Sequence, residues 1–404
     1  MFKDRFAEPM PTPALSVRFH RSVNQVEELR SWWQSHGNHP NSDLDHYLMV
    51  CAQSSYVLSP AVISVWRDGK CLAVLAGRLE KTRLRGRLGY WNLPGLPARV
   101  LTFIHQGLIG SLNSETADLV IVEINRLLRH ERVDLAAFSF FPEDSLLFTA
   151  LAAYPHRGLG LQHPAWSPHW ELALQAEPGF ILREMRAKHR GWIRRKQRDC
   201  EEVYTGRLSW KWHCIIDDVA PLCEAMEKVA RHTYQRGLNA GFRDDDHHRQ
   251  RLGLFAQQGA LRVLLLELDG QPAAFWMGLV YRQDFHSSAT AYVPELREHE
   301  IGTQMFLRLV DELVVEKVRR FDFGLGDAHY KQRFGDRCWR ELRVQFFAST
   351  AKGFALRHYL VVVAGLERVA RRTLQSLGSM DRFKQRWRRA VAKKLPPDKS
   401  FTPQ

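Results

Sequence analysis

The alternation of hydrophobic and polar residues in the first half of the chain predicts several strands, then a helix, then one more strand. An Arg-Asp-Gly-Lys segment, Arg67–Lys70, has the residues of a hairpin turn between the first two strands. The helix is indicated by hydrophobic residues at helical spacing, and it follows a loop rich in proline and glycine. The predicted elements are the strands Val62–Trp66, Cys71–Leu79 and one near Leu84–Trp91, the helix Glu115–His130, and the strand Val133–Phe140.

The second half of the chain has the same order of elements. Asp269 and Gly270 form the predicted turn, and one face of the predicted helix carries Met305, Phe306, Leu309, Val310 and Leu313. The predicted elements are the strands Leu261–Leu268, Pro272–Val280 and Phe285–Tyr292, the helix Gly302–Val318, and the strand Arg320–Phe323.

The Asp-Gly turn and the position of the helix after the third strand both recur in the second half. This recurrence favours duplication of one domain over two unrelated domains. We therefore predict an α/β fold with two tandem domains, each a mixed, mainly antiparallel sheet flanked by helices. The predicted limits are residues 1–174 and 175–350, followed by a basic helical extension over residues 351–404.

Three segments outside this repeat are rich in charge or glycine. Phe180–Tyr204 contains a basic run and predicts a helix that either connects the domains or meets a phosphate-bearing partner. Asp217–Tyr234 predicts a further helix, and Gln235–Arg243 predicts a loop that could shape a substrate pocket. Phe354–Leu395 predicts an increasingly basic helix, which either docks on its own domain or touches an anionic membrane. In that helix Phe383, Trp387 and Val391 share one face.

Composition narrows the class of protein further. The chain has 404 residues, of which 45% are hydrophobic, and a net charge of +14 that attracts polyanions. Six scattered cysteines without a CxxC pair predict reduced thiols and no metal site. The N-terminus lacks the apolar stretch of a signal peptide, so we expect a cytoplasmic protein.

The candidate chemistry lies between Phe285 and Asp336. Gly302 and Thr303 begin a predicted helix, and helix N-termini present free N–H groups that bind phosphates. After this helix comes the segment Phe321-Asp322-Phe323-Gly324-Leu325-Gly326-Asp327-Ala328-His329-Tyr330-Lys331-Gln332-Arg333-Phe334-Gly335-Asp336. It resembles the DFG-x-GD-x-x-YK-x-x-FG signature of the CelD-like GNAT acetyltransferases. The resemblance covers about Phe180–Ala348, and the paired domains are similar to those of the FemABX peptidyltransferases.

The resemblance implies an acyl-CoA donor, with acetyl-CoA as the default, lying where two adjacent strands separate. Its pyrophosphate would rest on the N–H groups of Gly302, Thr303 and Gln304. Of the superfamily's Q/R-x-x-G-x-G/A pattern we identify only Gly302. The first domain has Ala136–Phe140 where the second has its glycines, so we expect it to line the acceptor cleft and to bind no donor.

The expected reaction is direct attack of an amine or hydroxyl on the thioester, which needs a base and an acid. Asp322 and Asp327 are the candidate carboxylates, although Asp322 could equally be a turn-former. Tyr330 is the candidate acid or else a buried structural tyrosine.

The candidate acceptor contacts are Lys331, His286 and Tyr292. Lys331 and His286 also have plainer alternatives, a surface lysine and a packed histidine. The acceptor itself is expected to be a sugar, polyamine or peptide.

Two other functions remain open at this level. A FemABX-type transferase would take its donor from charged tRNA, which suits the basic charge, although no sustained heptads indicate the coiled-coil arm of that family. A non-catalytic GNAT-like pair could instead serve polysaccharide assembly at a membrane.

Overall fold

The computed structural model describes residues 15–88, 91–154, 162–233 and 241–376. The chain divides into two compact units, each made of two stretches of sequence. The first unit comprises Met1–Ser167 and Arg340–Arg368, and the second comprises Pro168–Trp339 and Val369–Gln404. The contiguous domain limits predicted from the sequence, at residues 174 and 350, stay a prediction.

Fifteen strands occur in the described residues. They are β1 Leu15–His20, β2 Val57–Pro60, β3 Val62–Arg67, β4 Lys70–Leu84, β5 Arg87–Leu88, β6 Trp91–Asn92, β7 Leu96–Gly110, β8 Leu135–Pro142, β9 Gln162–Ala173, β10 Leu208–His213, β11 Leu261–Leu268, β12 Gln271–Tyr281, β13 Asp284–Tyr292, β14 Arg320–Leu325 and β15 Arg337–Phe347.

Twelve α-helices and two short 3-10 helices accompany them in the same ranges. The α-helices are α1 Val23–Glu27, α2 Arg30–His36, α3 Leu44–Gln53, α4 Ser114–His130, α5 Leu146–Ala153, α6 Phe180–Glu184, α7 Ala187–Val203, α8 Ala220–Ala230, α9 Asp246–Gln257, α10 Ile301–Val315, α11 His329–Phe334 and α12 Ala351–Ser376. The 3-10 helices are Pro40–Ser42 and Pro294–His299.

In the first unit the strands lie in the order β1-β3-β4-β7-β8-β15, and β2 pairs with β4. Among the described strand pairs of this unit only β7 and β8 are parallel, with Val100 opposite Leu135 and Phe103 opposite Phe138. The other described pairs are antiparallel. Helix α4 connects the two parallel strands, and its apolar face is buried against the sheet.

In the second unit the order is β9-β14-β13-β12-β11-β10. Again one described pair is parallel, β13 with β14, and the connecting helix is α10. The predicted apolar face of this helix is buried, because Met305, Phe306, Leu309, Val310 and Leu313 are each at most 1% exposed. Phe306 packs on Phe321 and Phe323 of β14.

The fold class is therefore the predicted one, two α/β units with mixed, mainly antiparallel sheets flanked by helices. Each unit contains a hairpin, a third strand, a helix and a parallel returning strand, as the repeat in the sequence indicated.

Two of the predicted elements were wrong in detail. The third strand of the first unit is β7, Leu96–Gly110, which lies in the region predicted to be a loop. Its prolines, Pro94 and Pro97, fall just before the strand and at its start, where a missing N–H costs little. The helix predicted over Phe180–Tyr204 is two helices, α6 and α7, because Met185 has an extended backbone.

Several predictions fall outside the described residues. They concern most of the loop Gln235–Arg243 and the hydrophobic residues Phe383, Trp387 and Val391. None of the helices in the described ranges combines the length and the hydrophobicity that a membrane span requires.

Candidate active site

The parallel strands β13 and β14 of the second unit run together for three residue pairs and then separate. Asp284, Phe285 and His286 lie opposite Arg320, Phe321 and Asp322. Beyond that point β13 continues to Tyr292 and β14 to Leu325 without further pairing to each other. The unpaired edges leave room for an extended ligand between the strands.

A cavity of about 630 Å³ opens at the ends of these elements. Its walls come from the end of β13, the first turn of α10, helix α11 and Trp276 of β12. The lining residues that carry the argument are Tyr292, Arg297, Glu300, Gly302, Thr303, Phe306, Tyr330 and Arg333. Four of the predicted site residues, Tyr292, Gly302, Thr303 and Tyr330, are thus brought to one cavity.

The first turn of α10 supplies fewer free N–H groups than the sequence suggested. The N–H groups of Thr303 and Gln304 both donate to the carbonyl of Glu300, at 2.9 and 3.1 Å. In the described part of the chain, the N–H groups of Ile301 and Gly302 have no acceptor. The Gln304 side chain is buried and donates through Nε2 to the His299 carbonyl at 2.7 Å.

Glu300 precedes this helix with a left-handed backbone, φ 55° and ψ 35°. It stands two residues before Gly302, where the superfamily pattern has its first glycine. Glycine adopts positive φ without strain, whereas glutamate does so rarely. Glu300 therefore has the backbone conformation that favours glycine, but it carries a carboxylate side chain. That carboxylate accepts a hydrogen bond from the Thr303 hydroxyl at 3.3 Å.

Positive side chains also reach the cavity. Arg297 lies five residues before Gly302, at the first position of the same pattern, and is exposed. Arg333 of α11 contacts His189 of α7. Burial lowers the pKa of Arg333, partly offset by the Glu300 carboxylate, and the guanidinium stays charged at neutral pH. The cavity thus has two arginines and one carboxylate near a helix N-terminus.

Asp322 lies at the last paired position of the strands, on the opposite face from the Phe321 side chain that packs on α10. It is buried, and its carboxylate accepts hydrogen bonds from His169 Nε2 of β9 at 2.7 Å and from His286 Nδ1 at 3.0 Å. The Gly324 N–H donates to it as well, at 2.6 Å. Burial raises the pKa of the Asp322 carboxyl, but the hydrogen bonds from His169 and His286 outweigh this and hold it well below its usual range.

An ionised Asp322 determines which nitrogen of each imidazole carries the proton. Because the carboxylate only accepts, His169 is protonated at Nε2 and His286 at Nδ1. The other ring nitrogen of His286, Nε2, is buried. Trp339 stacks on the His169 ring at 4.3 Å and holds it in place.

The Lys331 side chain is bonded to the backbone at the end of β14. It is buried, and Nζ donates to the carbonyls of Phe323, Gly324 and Leu325 at 2.7, 3.3 and 2.7 Å. These bonds use all three ammonium donors and fix the end of β14. Burial lowers the pKa of Lys331 to about 8, against the pull of Asp322 and Asp327. Its predicted contact with the acceptor stays a prediction.

The other two catalytic candidates differ in their surroundings. Tyr330 lines the cavity, with its ring edge-on to Trp276 at 5.7 Å. Asp327 is exposed and accepts from Gln332 Nε2 at 2.6 Å. The catalytic roles of Tyr330 and Asp327 stay predictions.

Sequence reasoning missed His169, Glu300, Arg297 and Arg333. Arg297 could have been found, since its spacing to Gly302 matches the superfamily pattern. His169 had no local signal, because its partner Asp322 is 153 residues away in the chain.

A basic surface on α7 lies beside the first turn of α10. Lys188, Arg194, Arg195 and Arg198 are exposed, and the described residues provide no carboxylate within ion-pair distance of them. The two helices touch where Gln304 Nε2 approaches the carbonyl of Lys196 at 3.5 Å.

Known proteins share both the sequence pattern and the fold of this chain. The family described as an acetyltransferase (GNAT) domain matches residues 187–332, which include the strand pair, α10 and most of the signature. No curated protein matches the chain in sequence.

Solved structures resemble the chain at low sequence identity. FemX is 10% identical and has a TM-score of 0.55, over 80% of this chain and 95% of its own. A tandem GNAT protein from the clavulanic acid biosynthesis pathway is 11% identical with a TM-score of 0.45, over 84% of this chain and 100% of its own. A GCN5-related N-acetyltransferase from Sphaerobacter thermophilus is 10% identical with a TM-score of 0.38, over 82% and 95%.

The likeness to FemX, at 10% identity, shows a shared fold. Residues 187–332 match the acetyltransferase (GNAT) domain family, and this match supports an acyltransferase. The CelD-like branch stays a prediction.

Proposed function

We propose that this protein transfers an acyl group from an acyl-CoA, with acetyl-CoA as the default donor, directly to an amine or hydroxyl. The observation that carries the proposal is the separation of β13 and β14 beyond His286 and Asp322, next to a cavity at the N-terminus of α10. A phosphate-bearing donor with a long, narrow arm suits such a site.

The donor would lie with its diphosphate against the first turn of α10. The free N–H groups of Ile301 and Gly302, together with Arg297 and Arg333, favour negative charge there. From Tyr292 back to His286 is six residues, or about 20 Å of strand at about 3.3 Å per residue. An arm of that length, lying along β13, would bring the thioester to His286 and Asp322, the last paired residues of β13 and β14. We call this point the closed end of the strand pair.

The chemistry then uses groups at that closed end. The acceptor's nitrogen or oxygen attacks the thioester carbonyl, the carbon–sulfur bond breaks, and the CoA thiolate takes a proton. We propose His286, whose Nδ1 lies 3.0 Å from the Asp322 carboxylate, as the residue that accepts the proton of the nucleophile. Tyr330 is the candidate to protonate the thiolate, and Asp327 stays the other candidate carboxylate.

Calorimetric titration with acetyl-CoA and longer acyl-CoAs tests the donor site. A Gly302→Glu variant adds a carboxylate at the proposed diphosphate position. A Cβ there meets only the Tyr292 ring, at 3.4 Å, so the fold should tolerate it. We expect saturable binding by the wild type and a loss of at least about tenfold in the variant, from like-charge repulsion.

Gly253→Glu is the matched control, because Gly253 lies on α9 with open space around it. It should bind CoA like the wild type. If no acyl-CoA binds the wild type, or if both variants bind equally well, the donor assignment is wrong.

A second candidate donor is aminoacyl-tRNA, and the observation that favours it is the basic surface of α7. Four exposed cations on a helix that contacts the first turn of α10 suit a nucleic-acid backbone. Binding of charged tRNA that weakens steeply with salt, with no CoA binding, would support this alternative. Reversing Arg194 and Arg195 to Glu would then abolish tRNA binding.

We also propose the finer assignments that the sequence suggested. The signature from Asp322 to Gly335 supports the CelD-like branch, with a sugar, polyamine or peptide acceptor in polysaccharide biosynthesis. A cytoplasmic location fits a donor of the acyl-CoA type. A screen of acceptor amines and hydroxyls, following release of free CoA, tests these assignments.

A further inference from the structure

Helix α12 has hydrophobic side chains on two opposite faces. Leu356 and Val363 are buried, Leu356 in a hydrophobic cluster with β7 and β8 and Val363 next to Gly86. On the other side Phe354, Val361 and Val362 are 51%, 41% and 57% exposed. Such exposed hydrophobic groups are informative when they are contiguous, whereas single ones are common on any surface.

The exposed hydrophobic residues of α12 form one continuous stripe. With about 100° per residue, positions 354, 361, 362 and 366 fall within one face of the helix. Leu366 is 55% exposed, and the gaps are filled by Ala355, His358 and Gly365. Among the described residues Ala351–Arg368, the acid Glu367 lies on the other side. We call this stripe, Phe354, Val361, Val362 and Leu366, the outer face of α12.

Positive charge accompanies the outer face. Arg357 and Arg368 lie along one of its edges by the same helical geometry. The sequence that follows is strongly basic, with Asp381 its single acid before residue 395. Its cations are Arg371, Arg372, Arg382, Lys384, Arg386, Arg388, Arg389, Lys393 and Lys394.

We propose that the outer face of α12 docks on an anionic lipid surface. Amphipathic helices of this kind lie in the membrane interface, with hydrophobic side chains among the acyl chains and cations at the headgroups. Over its described residues, Ala351–Ser376, the helix is not apolar enough to cross a bilayer. A second copy of the chain is the less favourable occupant, because a symmetric pair would bring the two sets of arginines together without neutralising them.

Vesicle sedimentation of the full chain tests the proposal. The vesicles contain phosphatidylcholine alone or with phosphatidylglycerol, at low and at moderate salt. We expect binding to the anionic vesicles only, weaker as salt rises. Val362→Glu and Leu366→Glu, both at exposed positions, should each lower vesicle affinity by about tenfold or more. Each variant loses the free energy of burying one hydrophobic side chain among the acyl chains.

Val122→Glu is the matched control, because Val122 is 52% exposed on α4 of the same unit. It should bind vesicles like the wild type, and circular dichroism should show all variants folded. Failure of the wild type to bind anionic vesicles overturns the proposal. Unchanged binding by both α12 variants also overturns it. So does a dimer, seen by sedimentation equilibrium, that these two substitutions abolish, since the outer face would then belong to a second copy.

Discussion

At the scale of single residues, Asp322 is the side chain on which the closed end of the strand pair depends. It bonds two buried imidazoles and a backbone N–H. Asp322→Asn keeps the shape but replaces the carboxylate that accepts from both histidines. We expect a loss of about 3–5 kcal/mol in the free energy of unfolding at neutral pH, the usual cost of breaking a buried charge-assisted network. Urea denaturation measures it.

The exposed carboxylate of the same segment provides the control. Asp327→Asn should change stability by no more than about 0.5 kcal/mol, as surface substitutions usually do. Equal losses in the two variants would contradict a special role for Asp322.

Because the pKa of Asp322 is lowered, the stability that this residue contributes to the fold depends on pH. A carboxyl whose pKa is lower in the folded than in the unfolded state stabilises the fold above its unfolded value, near pH 4, and loses that effect as pH falls toward the folded value. The difference between wild type and Asp322→Asn should therefore be constant from pH 6 to about pH 5 and shrink below about pH 4.

Only part of this network could be predicted from the sequence. The signature identified Asp322, and strand alternation correctly put its side chain on the face opposite Phe321 and Phe323. His169 could not be found, because it comes from a strand with no local pattern that points to Asp322. Lys331 was also identified by the signature, but its burial depends on the turn of β14 into α11, which residue types alone do not specify.

At the scale of elements, the first turn of α10 combines an anion-binding helix end with the negative charge of Glu300. That carboxylate lies next to the free N–H groups of Ile301 and Gly302 and should oppose a diphosphate there. We expect Glu300→Gln to tighten acetyl-CoA binding about two- to fivefold, which corresponds to about 0.4–1 kcal/mol. Calorimetry on both proteins measures the change.

Glu298→Gln serves as the control for general charge effects. Glu298 is exposed on the preceding turn and does not line the cavity, so its removal should alter binding far less. Weaker binding by Glu300→Gln would indicate instead that the carboxylate contacts the donor directly.

Elements with strong periodicity were predicted well, and those governed by long-range pairing were not. Helices α4 and α10 begin one residue from their predicted starts, because their apolar faces repeat over several turns. Strand β7 was missed because the prolines near its start are typical of a loop. The strand nevertheless pairs along eleven residues of β4, a contact that no local window contains.

At the scale of the whole molecule, the first unit depends on residues from the far end of the chain. Strand β15 pairs with β8 from Glu341 opposite Pro142 to Phe347 opposite Leu135. Leu342, Val344 and Phe346 are buried in the hydrophobic core of the first unit. The repeat in the sequence does not indicate that β15 belongs to the first unit, since a repeat predicts domains that are each continuous in the chain.

This dependence predicts how fragments behave. A fragment of residues 1–174, the first domain as the sequence suggested it, lacks β15. The loss of those three side chains removes about 5–9 kcal/mol of hydrophobic burial, at about 1.5–3 kcal/mol each. Because single domains are stable by only about 5–15 kcal/mol, the fragment should not unfold cooperatively. Joining residues 337–368 to it through a long Gly/Ser linker should restore a cooperative thermal transition, followed by circular dichroism. If instead the 1–174 fragment melts cooperatively without them, the contiguous domain limits are right and β15 is dispensable to the first unit.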